Sequence, residues 1–227
     1  MSYLGSKAAS GAFQKIIAKM PPHDCYIETH LGTGAVLFNK PLSNHSFGID
    51  VDSGVIKAAK NKDTNNQHKI LNKCALQFLS EFDFNSAGRV LCYCDPPYLL
   101  STRTSNSRYR HDYNDLDHER LLNTLLLLSS TYPNVSIILS GYPSDYYNEK
   151  LIGWHTSEFQ VMTRGGVRTE KIWMNYQCDS AHWASYAGRN FTERQNIKRK
   201  ASRWAKNYKK LSPGEKIAVL AAMLEHH

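Results

Sequence analysis

The chain has 227 residues, 41% hydrophobic and 21% charged, an ordinary globular composition with enough length for one sizeable core. Its five cysteines include no C-x-x-C pair, so neither a disulfide framework nor a metal cluster is expected. No secretory signal pattern and no apolar run near the ~18 residues of a membrane span occur, which implies a cytoplasmic protein with no membrane partner.

In chain order, the first predicted strand, residues 25–28, runs into "ETHLGTGAV" (28–36), with Glu28 at its end and Gly32 and Gly34 leading into a helical pattern near 34–39. Glycines here let a ligand approach the backbone. Leu37, however, stands where the third glycine of a dinucleotide fingerprint belongs, which weakens a nicotinamide reading. The second strand, 45–50, ends in Asp50, placed either to cap the strand or to accept both hydroxyls of a ribose. Helix 53–62, strand 68–72 and helix 75–82 follow. Strand 89–95 then stops at Asp95-Pro96-Pro97-Tyr98, where two prolines fix the backbone and remove two N–H donors from the end of the ladder. Beyond a basic, tyrosine-containing loop (99–119) lie helix 117–129, strand 135–141 and helix 144–151. Strands 157–163 and 170–176, joined by "RGGVR" without a helix, read as an antiparallel hairpin. The alternation implies an α/β, doubly wound, mostly parallel seven-stranded sheet with that hairpin at its edge.

The C-terminal part is a basic helical extension. From Arg189 to Lys210 there are nine basic residues against Glu193 alone, which equals the whole formal charge of +8. Such concentration favours a polyanion partner over a merely solvated face. Thr192 and Gln195 form a capping-box pattern, and Ile197, Ala201, Trp204 and Tyr208 recur on one face that should dock on the body, leaving Lys198, Arg199, Lys206 and Lys209 outward. Ser212-Pro213 opens a second helix. The expected boundaries are 1–176 for the α/β domain and 177–223 for the extension, with 224–227 resembling the start of a purification tag.

Four stretches in this order, "YLGSK" (3–7), "YIETHLGTGAVLF" (26–38), "GID" (48–50) and "DPPY" (95–98), make most of residues 3–176 resemble the DNA adenine methylases. That family has a Rossmann-like methyltransferase fold and transfers methyl from S-adenosylmethionine to the exocyclic amino group of adenine. The resemblance implies S-adenosylmethionine as cofactor and duplex DNA with a flipped target adenine as partner; no obligate protein partner is evident. Carried over, Tyr3, Lys7, Glu28, Gly32, Gly34 and Asp95 approach the cofactor, Asp50 takes its ribose, and Asp95, Pro96 and Tyr98 take the target base. The chemistry suits a rigid corner. The amino lone pair is delocalised into the ring, and two acceptors, the Asp95 carboxylate and the Pro96 carbonyl, can pull the nitrogen toward tetrahedral geometry, while Tyr98 stacks on the flipped base. No Pro-Cys pair occurs, so cysteine addition to a cytosine ring has no candidate.

The chain departs from the family in three ways. Cys74 stands where an acidic residue usually meets the cofactor's adenine, His30 where an aromatic is frequent, and only "SEFDFNSAG" (80–88) where an inserted recognition domain is common. Contacts to DNA would then fall to Arg103, Arg108 and Arg110 of the loop, Arg164 and Arg168 of the hairpin, and Lys198, Arg199, Lys206 and Lys209. Low sequence specificity is expected. Methylation of adenine in RNA, and a non-enzymatic DNA-binding module on a decayed methylase fold, are the alternatives.

Overall fold

The structure, a computed structural model, describes residues 7–8, 11–103, 110–163, 166–178, 183, 187–188 and 190–225. The chain divides into two compact units, Met1–His182 and Trp183–His227.

The first unit is built on a seven-stranded sheet of order β3-β2-β1-β4-β5-β7-β6. Strands β1 (Cys25–Glu28), β2 (His45–Asp50), β3 (Lys69–Asn72), β4 (Val90–Cys94) and β5 (Val135–Gly141) run parallel. β7 (Gly166–Met174) lies antiparallel between β5 and β6 (His155–Thr163). Every residue of β1 and β4 is buried, as expected for central parallel strands covered on both faces. At the β3 edge only Ile70 is buried. The helices are α1 (Ala12–Ile17), α2 (Ser53–Lys62), α3 (Ala75–Glu81), α4 (Asp115–Thr131) and α5 (Asp145–Lys150). α4 starts where Asn114 and Asp117 form a reciprocal capping box, and its Leu121, Leu122 and Leu125 join Phe78, Leu79, Ile137 and Trp173 in the core.

The doubly wound sheet and edge hairpin agree with the sequence reading. The expected helix at 34–39 is instead a series of turns: Gly34 sits at φ +65°, in the left-handed region, and Pro41 follows closely, leaving too few residues for a stable helix. The hairpin strands are longer than expected, because pairing continues to Thr163 opposite Gly166.

The second unit contains α6 (Phe191–Lys209) and α7 (Pro213–Glu225). Asn190 caps α6 by accepting the Glu193 N–H at 2.9 Å, so the helix begins ahead of the expected Thr192 cap. Ser212 and Glu215 reciprocally cap α7. Within this unit α6 has no buried residue, Ile197 and Trp204 are exposed, and the half-buried Tyr208 donates to the Lys216 carbonyl at 3.4 Å. Among the described residues no helix is long and apolar enough to cross a membrane.

Candidate active site

Strand order reverses at β1, which lies between β2 and β4, and the crevice outside the carboxyl ends of such strands is where open α/β sheets bind ligands. The adjacency of β2, β1 and β4 lines up Asp50, Glu28 and Asp95 along one edge.

Asp50 ends β2 and is fixed by two backbone donors, Gly32 N–H at 3.0 Å and Asp52 N–H at 2.9 Å. Burial pushes its carboxyl above the ordinary aspartate range, and those two bonds oppose the push. Gly32 and Gly34 both have positive φ, 50° and 65°. At Gly34 a Cβ would stand 2.4 Å from the Phe38 ring, so the turn that holds Asp50 tolerates no side chain there. Glu28 is placed differently. It is only 2% exposed, accepts the Tyr26 hydroxyl at 2.8 Å and takes the Leu37 N–H as well. Burial raises its carboxyl to about 8 against those two bonds. Its immediate partners are therefore internal.

At the third strand end, Lys7 meets Asp95 and Tyr98. The Lys7 ammonium, 4% exposed, donates to Asp95 Oδ1 at 2.7 Å, to Asp95 Oδ2 at 2.6 Å and to the Tyr98 hydroxyl at 2.7 Å. Burial works against its charge, but Asp95 and Glu170 outweigh burial and hold its pKa above the lysine range. Burial likewise pushes the Asp95 carboxyl up, opposed by Lys7. The resemblance puts Lys7 on the cofactor; in the structure its three protons go to Asp95 and Tyr98. Tyr98 is 6% exposed, with its ring tilted at 66° to Tyr142, centroids 4.5 Å apart, so its hydroxyl is as engaged as its ring.

Sequence reasoning missed two groups. Glu170, from β7, lies with Oε2 3.8 Å from Lys7 Nζ; the only signal was its place in a strand alternating toward the interior. The second group is a relay of rings. Thr29 Oγ1 meets His30 Nδ1 at 2.8 Å, His30 Nε2 meets the Tyr113 hydroxyl at 2.9 Å, Tyr113 packs edge-on against His118, and His118 Nδ1 meets the Tyr147 hydroxyl at 2.7 Å. Burial lowers His30 to about 3 and His118 to about 4, so both rings stay neutral. Cys74 stands exposed at the start of α3 with no capping bond.

The residues expected on nucleic acid separate into three sets. Arg103 requires a correction: its side chain is 1% exposed and forks onto Asp112 at 2.7 and 2.6 Å, with a further bond to the Tyr98 carbonyl. It ties Asp112 to the backbone at Tyr98, and its buried guanidinium leaves no face for a phosphate. Arg110 is exposed and 3.3 Å from Asp52, and Arg168 is half-buried on β7. Lys198, Arg199, Lys206 and Lys209 are exposed and line, with Arg203 and Lys210, one shallow groove along α6. Tyr3, Arg108 and Arg164 lie outside the described residues. No group of three or more His, Cys, Asp or Glu side chains able to hold a metal occurs among the described residues.

Neither a protein-family profile nor a curated protein sequence matches the chain. Solved structures do. SMU.472, assigned as a methyltransferase and complexed with SAH, is 12% identical over 72% of this chain and 51% of its own, with a TM-score of 0.50. The chain thus spans about half of that protein, and the likeness is one of fold: a Rossmann-like methyltransferase fold with an antiparallel edge hairpin. A dimethyladenosine transferase from Plasmodium falciparum is 15% identical over 73% of this chain and 62% of its own, with a TM-score of 0.46. An rRNA methylase from Streptococcus thermophilus is 10% identical over 71% and 93%, with a TM-score of 0.47.

Proposed function

We propose that the chain is an S-adenosylmethionine-dependent methyltransferase acting on the exocyclic amino group of adenine in DNA. The observation that carries this reading is the half-buried Asp95 carboxylate at the switch-point crevice, gripped by Lys7 and followed by two prolines and Tyr98. When bound, the cofactor supplies an electrophilic methyl group on a sulfonium.

The residues present fit such a group. Asp50 retains acceptor capacity for a ribose diol after taking two N–H bonds, and the Gly32–Gly34 turn brings backbone to the same crevice. Asp95 then accepts one hydrogen of the target amino group and the Pro96 carbonyl accepts the other. Both bonds strengthen as the nitrogen becomes tetrahedral and positive, so they stabilise the transition state more than the ground state. The proton shed after nitrogen forms its new bond leaves along the bond to Asp95, whose carboxyl burial has already made more basic. The exposed cations of α6 suit phosphate contacts that hold the substrate without reading its sequence.

Incubation with labelled S-adenosylmethionine and either mixed-sequence duplex DNA or structured RNA, followed by nucleoside analysis, tests the reading. The expected product is N6-methyladenine in DNA. Label confined to RNA would replace the substrate class, and label on any base but adenine would overturn the reaction.

A further inference from the structure

Beside Lys7 stands a second carboxylate that the methyl-transfer reading does not use. Glu170 is 9% exposed, and its Oε2 has no hydrogen-bond partner. That oxygen lies 3.8 Å from Lys7 Nζ, near enough for attraction but beyond hydrogen-bonding distance. An ammonium has three protons, and those of Lys7 go to the two Asp95 oxygens and to Tyr98. The Tyr98 hydroxyl, once it accepts from Lys7, has one proton to give and lies within reach of both the Asp95 and the Glu170 carboxylates. Two donors thus stand between two acids, Glu170 buried and Asp95 half-buried. Tyr93, on β4, is the other ionisable group that acts on Lys7, and it is itself occupied by a bond from Ser140 at 2.9 Å.

This arrangement bears on how Asp95 can serve a substrate. With both oxygens gripped by one cation, the carboxylate is held in a single orientation with its lone pairs engaged. Turning an oxygen toward an amino group loosens that grip. A buried ammonium left without its counter-charge is strongly destabilising. Glu170 removes the penalty, because its open oxygen is already beside Lys7.

We infer that Glu170 is a positioning residue that receives the Lys7 ammonium when Asp95 turns one oxygen to the target, so that one buried positive charge is handed between two carboxylates in each turnover. No covalent bond forms or breaks in the handover, and Lys7 stays protonated throughout. The inference rests on the adenine-methylation reading for its purpose, but the handover itself can be measured without any substrate.

A double-mutant cycle of Asp95→Ala and Glu170→Gln on the substrate-free protein, read by melting temperature, gives the first arm. Glu170→Gln alone should shift the melting temperature by less than about 2 °C, since Asp95 still holds Lys7. In the Asp95→Ala background it should lower it by about 5 °C or more, since Lys7 then has no carboxylate left. Equal shifts in the two backgrounds, or a Glu170→Gln variant that does not fold, would overturn the handover. The second arm is turnover at saturating cofactor and nucleic acid. Glu170→Gln should reduce kcat by about fivefold or more while KM for the cofactor stays within about twofold; a smaller fall in kcat would overturn its part in the reaction. Wild-type protein that methylates neither DNA nor RNA would instead remove the adenine-methylation reading and leave the melting cycle intact as the test of the handover.

Discussion

Asp95 carries the heaviest assignment of any single side chain, and its surroundings make the consequence of losing it specific. Asp95→Ala should lower turnover by at least about tenfold in the methyl-transfer assay, because one of two acceptors for the developing ammonium disappears. A variant above about a tenth of wild-type turnover would exclude that role. For Tyr98, sequence alone suggests that the ring suffices for stacking, whereas the buried hydroxyl is an acceptor for Lys7 at 2.7 Å. Tyr98→Phe strands an ammonium proton, which costs about 1–3 kcal/mol, so turnover should fall about tenfold while affinity for S-adenosylhomocysteine, measured by calorimetry, stays within about twofold. Unchanged turnover would reduce Tyr98 to its ring. His118 supplies a pH prediction. Its folded-state pKa is near 4, below the ~6.5 of an unfolded histidine, so below pH 6.5 the unfolded chain takes up a proton that the folded chain refuses, and this residue's share of stability is lost as pH falls. Glu28, raised to about 8, acts in the opposite sense over the same range, so the effect is best read by difference. The melting temperature of His118→Gln should gain on that of wild type between about pH 6.5 and pH 4, and a constant offset would contradict the neutral buried ring. Acids that end strands, Asp50 and Asp95, were legible because an ionisable group closing an apolar run is conspicuous. Lys7 was legible only through the resemblance, which gave it the cofactor rather than its ion pair with Asp95 across 88 residues, and Glu170 was not legible at all, because its place beside Lys7 depends on where β7 enters the sheet.

Among the elements, α6 and the loop behind Tyr98 divide the basic residues into those that hold the protein together and those available to a partner. Neutralising Lys198, Arg199, Lys206 and Lys209 should weaken DNA binding for all sequences alike and flatten its dependence on salt, with the logarithmic slope falling by about 0.9 for each phosphate no longer neutralised. Fluorescence anisotropy at several salt concentrations measures this, and an unchanged slope would leave α6 a solvated face. Arg103→Ala should act otherwise. Removing a guanidinium that is 1% exposed but paired with a partly exposed Asp112 should cost about 1–3 kcal/mol, read by denaturant unfolding, without changing the salt slope. Periodicity and capping identified α2, α4, α5 and α7 to within a few residues because apolar spacing and caps such as Ser144 and Ser212 agree there. They failed at 34–39, where a glycine in the left-handed region decides the backbone, and for α1, which is as short as α5 but starts at Gly11 with no side-chain cap to announce it.

One chain carries both a carboxylate-lined crevice and a basic helix, α6, and that combination bears on sequence reading. Each good bidentate contact to a base edge is worth about 1–3 kcal/mol of discrimination, yet the exposed cations of α6 are lysines and arginines suited to phosphates, and Arg103 is removed from consideration by its burial. Methylation in a context of about one or two base pairs is expected, and mapping modified adenines over a plasmid would test it; modification confined to one fixed sequence of four or more base pairs would refute it. The parallel sheet with its edge hairpin was legible because alternation of strand and helix forces parallel pairing, but the order of strands was not, and in particular not that β7 rather than β6 meets β5, since either strand of a hairpin can take the inner place. That choice has a consequence for how the molecule is made. A nascent chain that has emerged only through residue 163 has β6 in hand but nothing to pair it with, and the free edge of β5 stays open until β7 slots in between. An open edge of a hydrophobic strand invites pairing with other chains, so translation that stalls or terminates between residues 141 and 166 should yield insoluble protein, and the carboxylate that shares Lys7 arrives only with the strand that closes the sheet.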